Sequence, residues 1–362
     1  MKPIDQTMQS LLDQLIADGS ERGVQLAVYH NGLLVVDASA GIADPTTGRR
    51  VNGNTLFPVF STTKGIAATL IHLLVERGKI NYDTPIAQVW PEFAAHGKEG
   101  ITLQHALNHT AGIPNMPMGL SHTELCDWAT MCAAIADLKP ISPPGAEHAY
   151  HAITYSWLTG EVARRVDGRP FSQLLHDEIC VPLDMTTEMF VGIPDEVEPL
   201  VAILEATVDT PAAQTPPQDE TPQAIPALVQ PLHAWMNRPD ARRACLPASN
   251  GIMTARSIAR HYAALLPGGV DGIELLPPER IRVAIEPRSS GKQKTGEPAS
   301  HRLGYSVGTP FSPTSFGHGG YGGSIGFADI ASSLSFGFTR NRFDSNTSLP
   351  RIIETLRKCL EL

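Results

Sequence analysis

Ser61 and Lys64 stand three positions apart in Phe60-Ser61-Thr62-Thr63-Lys64-Gly65. They head a stretch whose apolar residues Ile66, Leu70, Leu73 and Leu74 follow a helical period as far as Gly78. On a helix that spacing sets hydroxyl and amine one turn apart on one face. A serine hydroxyl is a weak nucleophile until a base takes its proton, and a lysine serves as that base only where burial or nearby cations keep it neutral. Backbone N–H groups at a helix start favour negative charge developing beside Ser61. The chemistry indicated is acyl transfer through a covalent intermediate, although a four-residue pattern with two fixed positions also recurs by chance.

Two further segments carry suitable groups. Pro144-Gly145 is followed by Tyr150 and then by a helical stretch, Thr154 to Val166, closed by Gly168. Phe316-Gly317-His318-Gly319-Gly320-Tyr321-Gly322-Gly323-Ser324 precedes an apolar run, and glycines there would let a substrate carbonyl approach the backbone. Inside it, Gly322-Gly323-Ser324-Ile325-Gly326 matches G-x-S-x-G and makes Ser324 a rival nucleophile. That elbow needs a strand before it and a helix after, whereas Phe327-Ala328-Asp329 reads as strand. The 13 histidines invite a metal, but none falls in H-E-x-x-H or a comparable ligand spacing, so neither a metal nor another cofactor is expected.

Taken in order, these segments resemble the β-lactamase and penicillin-recognising superfamily of serine hydrolases, from Val24 to about Arg342. Leu107-Asn108-His109-Thr110-Ala111-Gly112-Ile113-Pro114 is similar to the His-Thr-Ser-Gly-Leu-Pro segment common there. The resemblance implies Ser61 as acylated nucleophile, Lys64 as base, and Tyr150 as a phenolate near two cations that relays the serine proton to the leaving group. It implies an oxyanion hole from the N–H groups of Ser61 and Tyr321, with His318, Gly319, Gly320 and Ala152 beside the substrate. Lys294-Thr295-Gly296 is a literal Lys-Thr-Gly, the usual third motif, but it lies in a polar loop, so His318-Gly319-Gly320 is preferred.

The sequence departs from the β-lactamase pattern in two places. Tyr-x-Asn becomes Tyr150-His151-Ala152, and the third-motif lysine becomes His318. Both changes weaken the grip on an anionic amide and leave acyl transfer intact. With Tyr150-His151-Ala152-Ile153-Thr154-Tyr155-Ser156-Trp157-Leu158, the chain resembles the family VIII carboxylesterases, which implies hydrolysis of short-acyl esters and some weak β-lactamase activity. An acyltransferase using an alcohol or amine acceptor, a β-lactamase or peptidase, and a non-catalytic ligand-binding member of the fold are the alternatives.

The elements that must position these groups can be read in outline. The N-terminal leucines Leu11, Leu12 and Leu15 fall at helical spacing, and Val24 to Tyr29 and Leu33 to Ala38 form a hairpin across His30-Asn31-Gly32. Strands are expected at Leu303 to Val307, Gly326 to Asp329 and Ser335 to Thr339, before a last helix from about Leu349 to Leu360. Strands at both ends around a helical middle imply one antiparallel sheet built from the two termini. The fold class expected is α/β of the α+β type, β-lactamase/transpeptidase-like. It would be a single unit over 1–362, with an α/β lobe from 1–80 and 250–362 and a helical lobe at 81–249. The proline-rich stretch Thr210 to Leu232 reads as a long loop, either a lid or a tolerated insertion.

Composition narrows the partners. The chain has 362 residues, enough for a real core, and a net charge of −9 that argues against nucleic acid or an anionic membrane surface. A small neutral molecule, an ester, fits better. Five cysteines without CxxC pairs suggest free thiols, and the N-terminus lacks the unbroken apolar core of a signal peptide, so a cytoplasmic setting is expected.

Overall fold

The structure is a computed structural model that describes residues 3–206, 221–287, 301–308, 310–344 and 348–362. Its main sheet has eight antiparallel strands: β1 (Gly23–His30), β2 (Leu33–Asp44), β3 (Arg49–Arg50), β4 (His301–Arg302), β5 (Tyr305–Val307), β6 (Ser315–Gly319), β7 (Ile325–Asp329) and β8 (Leu334–Arg340). Their spatial order is β3-β2-β1-β8-β7-β6-β5-β4. The N-terminal hairpin therefore joins the C-terminal strands along β1 and β8, with Val24 opposite Arg340 and Tyr29 opposite Ser335.

The hairpin turn forms where expected because Asn31 and Gly32 both take positive φ, 52° and 73°, as a primed two-residue turn requires. β1 and β8 are buried on both faces, so each strand serves two cores. Val24, Leu26 and Val28 join Leu334, Phe336 and Phe338 against Met8, Leu12, Ile352 and Leu356 of the two terminal helices, Pro3–Ala17 and Ser348–Leu360. The opposite face carries Ala27 and Tyr29 and meets helix Ala255–Ala263. That helix comes close because Gly326 and Gly337 sit opposite each other in register. A Cβ on Gly326 would stand 2.3 Å from Ile258, and one on Gly337 2.1 Å from the Ala255 carbonyl. The conformational restriction that makes Gly326 look like part of a nucleophile elbow is thus a packing requirement.

Three expectations change. Of Leu303 to Val307 only Tyr305–Val307 is strand, β5, because Leu303 and Gly304 take φ of 40° and 94° and reverse the chain from β4. A second, three-stranded sheet, Phe57–Pro58, Gly251–Met253 and Met189–Val191, braces the chain just before Ser61, and its strands are too short to show a period. Of the stretch read as one long loop, 210–220 lie outside the described residues. Its end is packed, with Val229 fully buried and a helix beginning at Leu232. Lys294-Thr295-Gly296 also lies outside the described residues. No described helix is long and apolar enough to cross a membrane.

A buried ion pair ties the sheet to the glycine-rich turn. Arg340 donates from Nε to Glu21 at 2.8 Å, from one terminal nitrogen to the Gly322 carbonyl at 3.0 Å, and from the other to Asp344 at 2.9 Å. Burial pushes the Glu21 carboxyl up, opposed by the pull of Arg340. Removing one partner would strand the other charge, so Arg340→Met is expected to destabilise by about 3–5 kcal/mol, read as a lower urea midpoint.

Candidate active site

Ser61 lies in a 3₁₀ turn, Phe60–Thr62, that runs directly into helix Thr63–Glu76. Phe60 is held at φ 46°, a left-handed conformation that costs a non-glycine residue roughly 1–2 kcal/mol. Several contacts impose it. The Val59 N–H bonds the Gly251 carbonyl at 2.9 Å, the Thr63 hydroxyl donates to the Phe60 carbonyl, and the Gly251 N–H bonds that hydroxyl at 2.8 Å. The Thr62 hydroxyl donates to the Ser324 carbonyl at 3.1 Å, fastening this turn to the turn before β7. Ser324 itself is buried, and its hydroxyl faces the Arg340 N–H at 3.4 Å. It is followed by strand, so the elbow context fails in the structure as it did in the sequence.

The Lys64 amine is fully buried. It lies 2.8 Å from the Ala152 carbonyl, 2.9 Å from the Ala248 carbonyl and 3.3 Å from Ser61 Oγ. Burial alone holds its pKa well below the usual lysine value. A neutral amine has two N–H groups and one lone pair. In its neutral form, with both N–H groups donated to the carbonyls, the amine would have its lone pair left for Ser61 Oγ, with the serine hydroxyl as donor. Lys98 provides the contrast inside the same protein: its buried amine meets three carbonyls, those of Ala95, Ala136 and Leu138, and suits an ammonium ion. The two buried amines thus differ in their partners, three carbonyls for Lys98 and two carbonyls with a serine hydroxyl for Lys64.

Tyr150 bonds Ser61 through its hydroxyl, and its ring lies 4.8 Å from the Lys64 amine. Burial pushes the phenol up to about 12, against a smaller lowering from the Ser61 bond. The phenolate between two cations that the resemblance implied does not fit this setting: among the described residues its cationic contact is Lys64, whose own pKa burial lowers. Around it stand His109, His301 and His318, with ring centroids 4.5, 5.6 and 6.3 Å from the tyrosine ring. All three histidines are held below their usual pKa, burial being the largest cause in each.

The third segment arrives on β6, which ends His318-Gly319. His318 is buried, and its Nδ1 bonds the Gly319 carbonyl at 2.7 Å. Gly320 backs onto the nucleophile turn so closely that a Cβ would stand 2.1 Å from the Val59 carbonyl and 3.0 Å from Thr62 Oγ1. Tyr321 follows with an exposed ring that leans on Phe343 at 5.3 Å, and Phe343 meets Phe60 at 5.4 Å. One phenyl ring thus braces the chain next to both Ser61 and Tyr321.

Sequence reasoning missed three things here. The carbonyls of Ala152 and Ala248 orient the base, and backbone carbonyls leave no mark in residue types. Ala152 therefore matters through its main chain. His109 and His301, far apart in sequence, meet beside Tyr150, and only His109 stood in a segment singled out beforehand. A separate cavity of about 820 Å³, lined by Trp90, Trp128, Glu161, Arg164 and Phe171 among others, shares none of these groups, so its size does not make it the reaction site.

A half-buried serine and a buried lysine at the mouth of a helix, facing an antiparallel sheet made from both chain ends, define a β-lactamase/transpeptidase-like fold. The chain belongs to the beta-lactamase family, which it matches over residues 8–358. It is 34% identical to the esterase/beta-lactamase LipL of Mycobacterium tuberculosis over 343 residues, covering 88% of this chain and 77% of that protein. A shorter match, 31% over 110 residues, covers 29% of this chain and 28% of the esterase EstB of Burkholderia gladioli. Among solved structures, a family VIII carboxylesterase is 29% identical, with a TM-score of 0.87 over 99% of this chain and 98% of that one. EstA from Arthrobacter nitroguajacolicus Rue61a is 27% identical, with a TM-score of 0.85 over 99% of this chain and 98% of that one.

Proposed function

We propose that the protein is a serine carboxylesterase that hydrolyses short-acyl esters through an acyl-enzyme on Ser61. The observation that carries this reading is the buried Lys64 amine, 3.3 Å from Ser61 Oγ with its other two contacts on the Ala152 and Ala248 carbonyls. Lys64 takes the serine proton as the oxygen attacks the ester carbonyl. The N–H groups of Ser61 and Tyr321 hold the oxyanion, and Tyr150, protonated at rest, hands its hydroxyl proton to the departing alkoxide and is reprotonated by the proton that Lys64 took from Ser61. Water then attacks the acyl-enzyme by the reverse relay and releases the acid.

The electrostatics favour an uncharged substrate. Lys64, His109, His151, His301 and His318 are all held toward their neutral forms by burial, so these walls offer no fixed cation to a carboxylate. The relatives named as esterases agree with this choice. The name of LipL couples esterase with beta-lactamase, which favours a secondary activity on β-lactams. All five cysteines are free, which suits a reducing, cytoplasmic compartment.

A panel of p-nitrophenyl esters of increasing acyl length plus one chromogenic cephalosporin tests the reading. Turnover should be highest on the short esters and far slower on the cephalosporin, and the reverse ranking would contradict it. Tyr150→Phe, which keeps the ring and loses the relay, should lower kcat/KM on the best ester by about 10²-fold or more. Product analysis with a competing alcohol separates hydrolysis from acyl transfer to an acceptor.

A further inference from the structure

Three histidines from distant parts of the chain converge beside Tyr150, and none of them takes a proton-transfer step in the proposed hydrolysis. The ligand-capable atoms of His109, His301 and His318 all lie within 4.8 Å of one another. His109 comes from the segment after helix Leu103–Leu107, His301 from β4 and His318 from β6. We propose that these side chains bind a borderline divalent transition-metal cation, zinc or a close analogue, and that the bound ion inhibits the enzyme by occupying the space beside Tyr150.

The donor chemistry fits imidazole-preferring ions. His318 donates its Nδ1–H to the Gly319 carbonyl, which leaves the Nε2 lone pair free, and that buried nitrogen has no partner among the described residues. A second carbonyl-anchored ring nitrogen of this kind is the usual support for a metal-ligating histidine. Nδ1 of His301 is likewise buried and unpartnered, and so is Nε2 of His148, whose ring stacks on His301 with centroids 5.4 Å apart. Ligands at the usual zinc–nitrogen distance of about 2.0–2.1 Å sit roughly 3.4 Å apart, so the rings must close in slightly on binding.

His109 limits the affinity. Its Nδ1 accepts the His151 N–H at 3.1 Å, so its other nitrogen carries the proton at rest and must give it up, at the expense of that bond, to ligate. The outcome is an exchangeable, inhibitory ion with an open coordination position, in contrast to a resident cofactor. Binding stands on the histidine geometry alone, and inhibition rests on the proposed esterase reading.

Chelator-treated protein titrated with cobalt(II) reports the site through its visible absorption, independently of turnover. Wild type and the inactive Ser61→Ala variant should both bind one ion saturably, and His301→Asn and His318→Asn should each weaken binding at least tenfold with unchanged circular dichroism. Zinc should suppress p-nitrophenyl ester hydrolysis by wild type, and EDTA should restore it. No saturable band in wild type, or unchanged affinity in both histidine variants, would overturn the site. A bound ion with undiminished turnover would overturn its inhibitory role. If no ester is hydrolysed at all, the esterase reading fails while the cobalt titration still decides the site.

Discussion

Ser61→Ala should lower kcat/KM for p-nitrophenyl butyrate by roughly 10⁴-fold or more, because the variant loses the atom that bonds to the acyl group. The fold should survive, since the Ser61 side chain is half-buried and the turn is held by Thr62, Thr63 and Gly251. Ser324→Ala is the matched control. Its hydroxyl makes one long contact with the Arg340 N–H and faces sheet, so most activity should remain. Steady-state rates and thermal melts on the pair separate a nucleophile from a buried structural serine.

Lys64→Met should lower kcat/KM by about 10²–10⁴-fold, the range associated with a positioned general base. Lys64→Arg should fare no better, because a guanidinium stays charged and has no lone pair for the serine proton. If the amine only held the carbonyls of Ala152 and Ala248 together, arginine would rescue activity. The pH profile gives a second readout. Lys64 faces Ser61, Tyr150 and Tyr155, with His109, His151, His301 and His318 nearby, and burial lowers its pKa well below the usual lysine value. Because the working form is the neutral amine, activity should rise with pH through that lowered value and level off well below the titration of an ordinary lysine. It should not climb steadily toward alkaline pH.

Local chemistry was the legible part of this sequence. Asn31-Gly32 declares a turn because the constraint is confined to two residues, and Ser61 and Lys64 declare each other because one helical turn links them. Tyr150 and His318-Gly319-Gly320 became meaningful only through resemblance, since nothing in their own spacing ties them to Ser61. What stayed hidden depends on chain closure. Leu303 reads as strand, yet it takes a left-handed φ because the chain must reverse between β4 and β5. The carbonyls of Ala152 and Ala248 hold the buried Lys64 amine beside Ser61 without any side chain to reveal it. The resemblance also supplied a phenolate that burial of Tyr150 disfavours, while burial lowers the pKa of Lys64, the residue the resemblance had already named as base.

The central claim is that Ser61 becomes covalently acylated, and intact-mass spectrometry after brief exposure to a slow ester or a fluorophosphonate tests it most directly. The account predicts one adduct per chain, mapped by peptide digestion to the segment holding Ser61 and lost in Ser61→Ala. Unmodified protein during ester turnover, or an adduct mapped to Ser324, would contradict it.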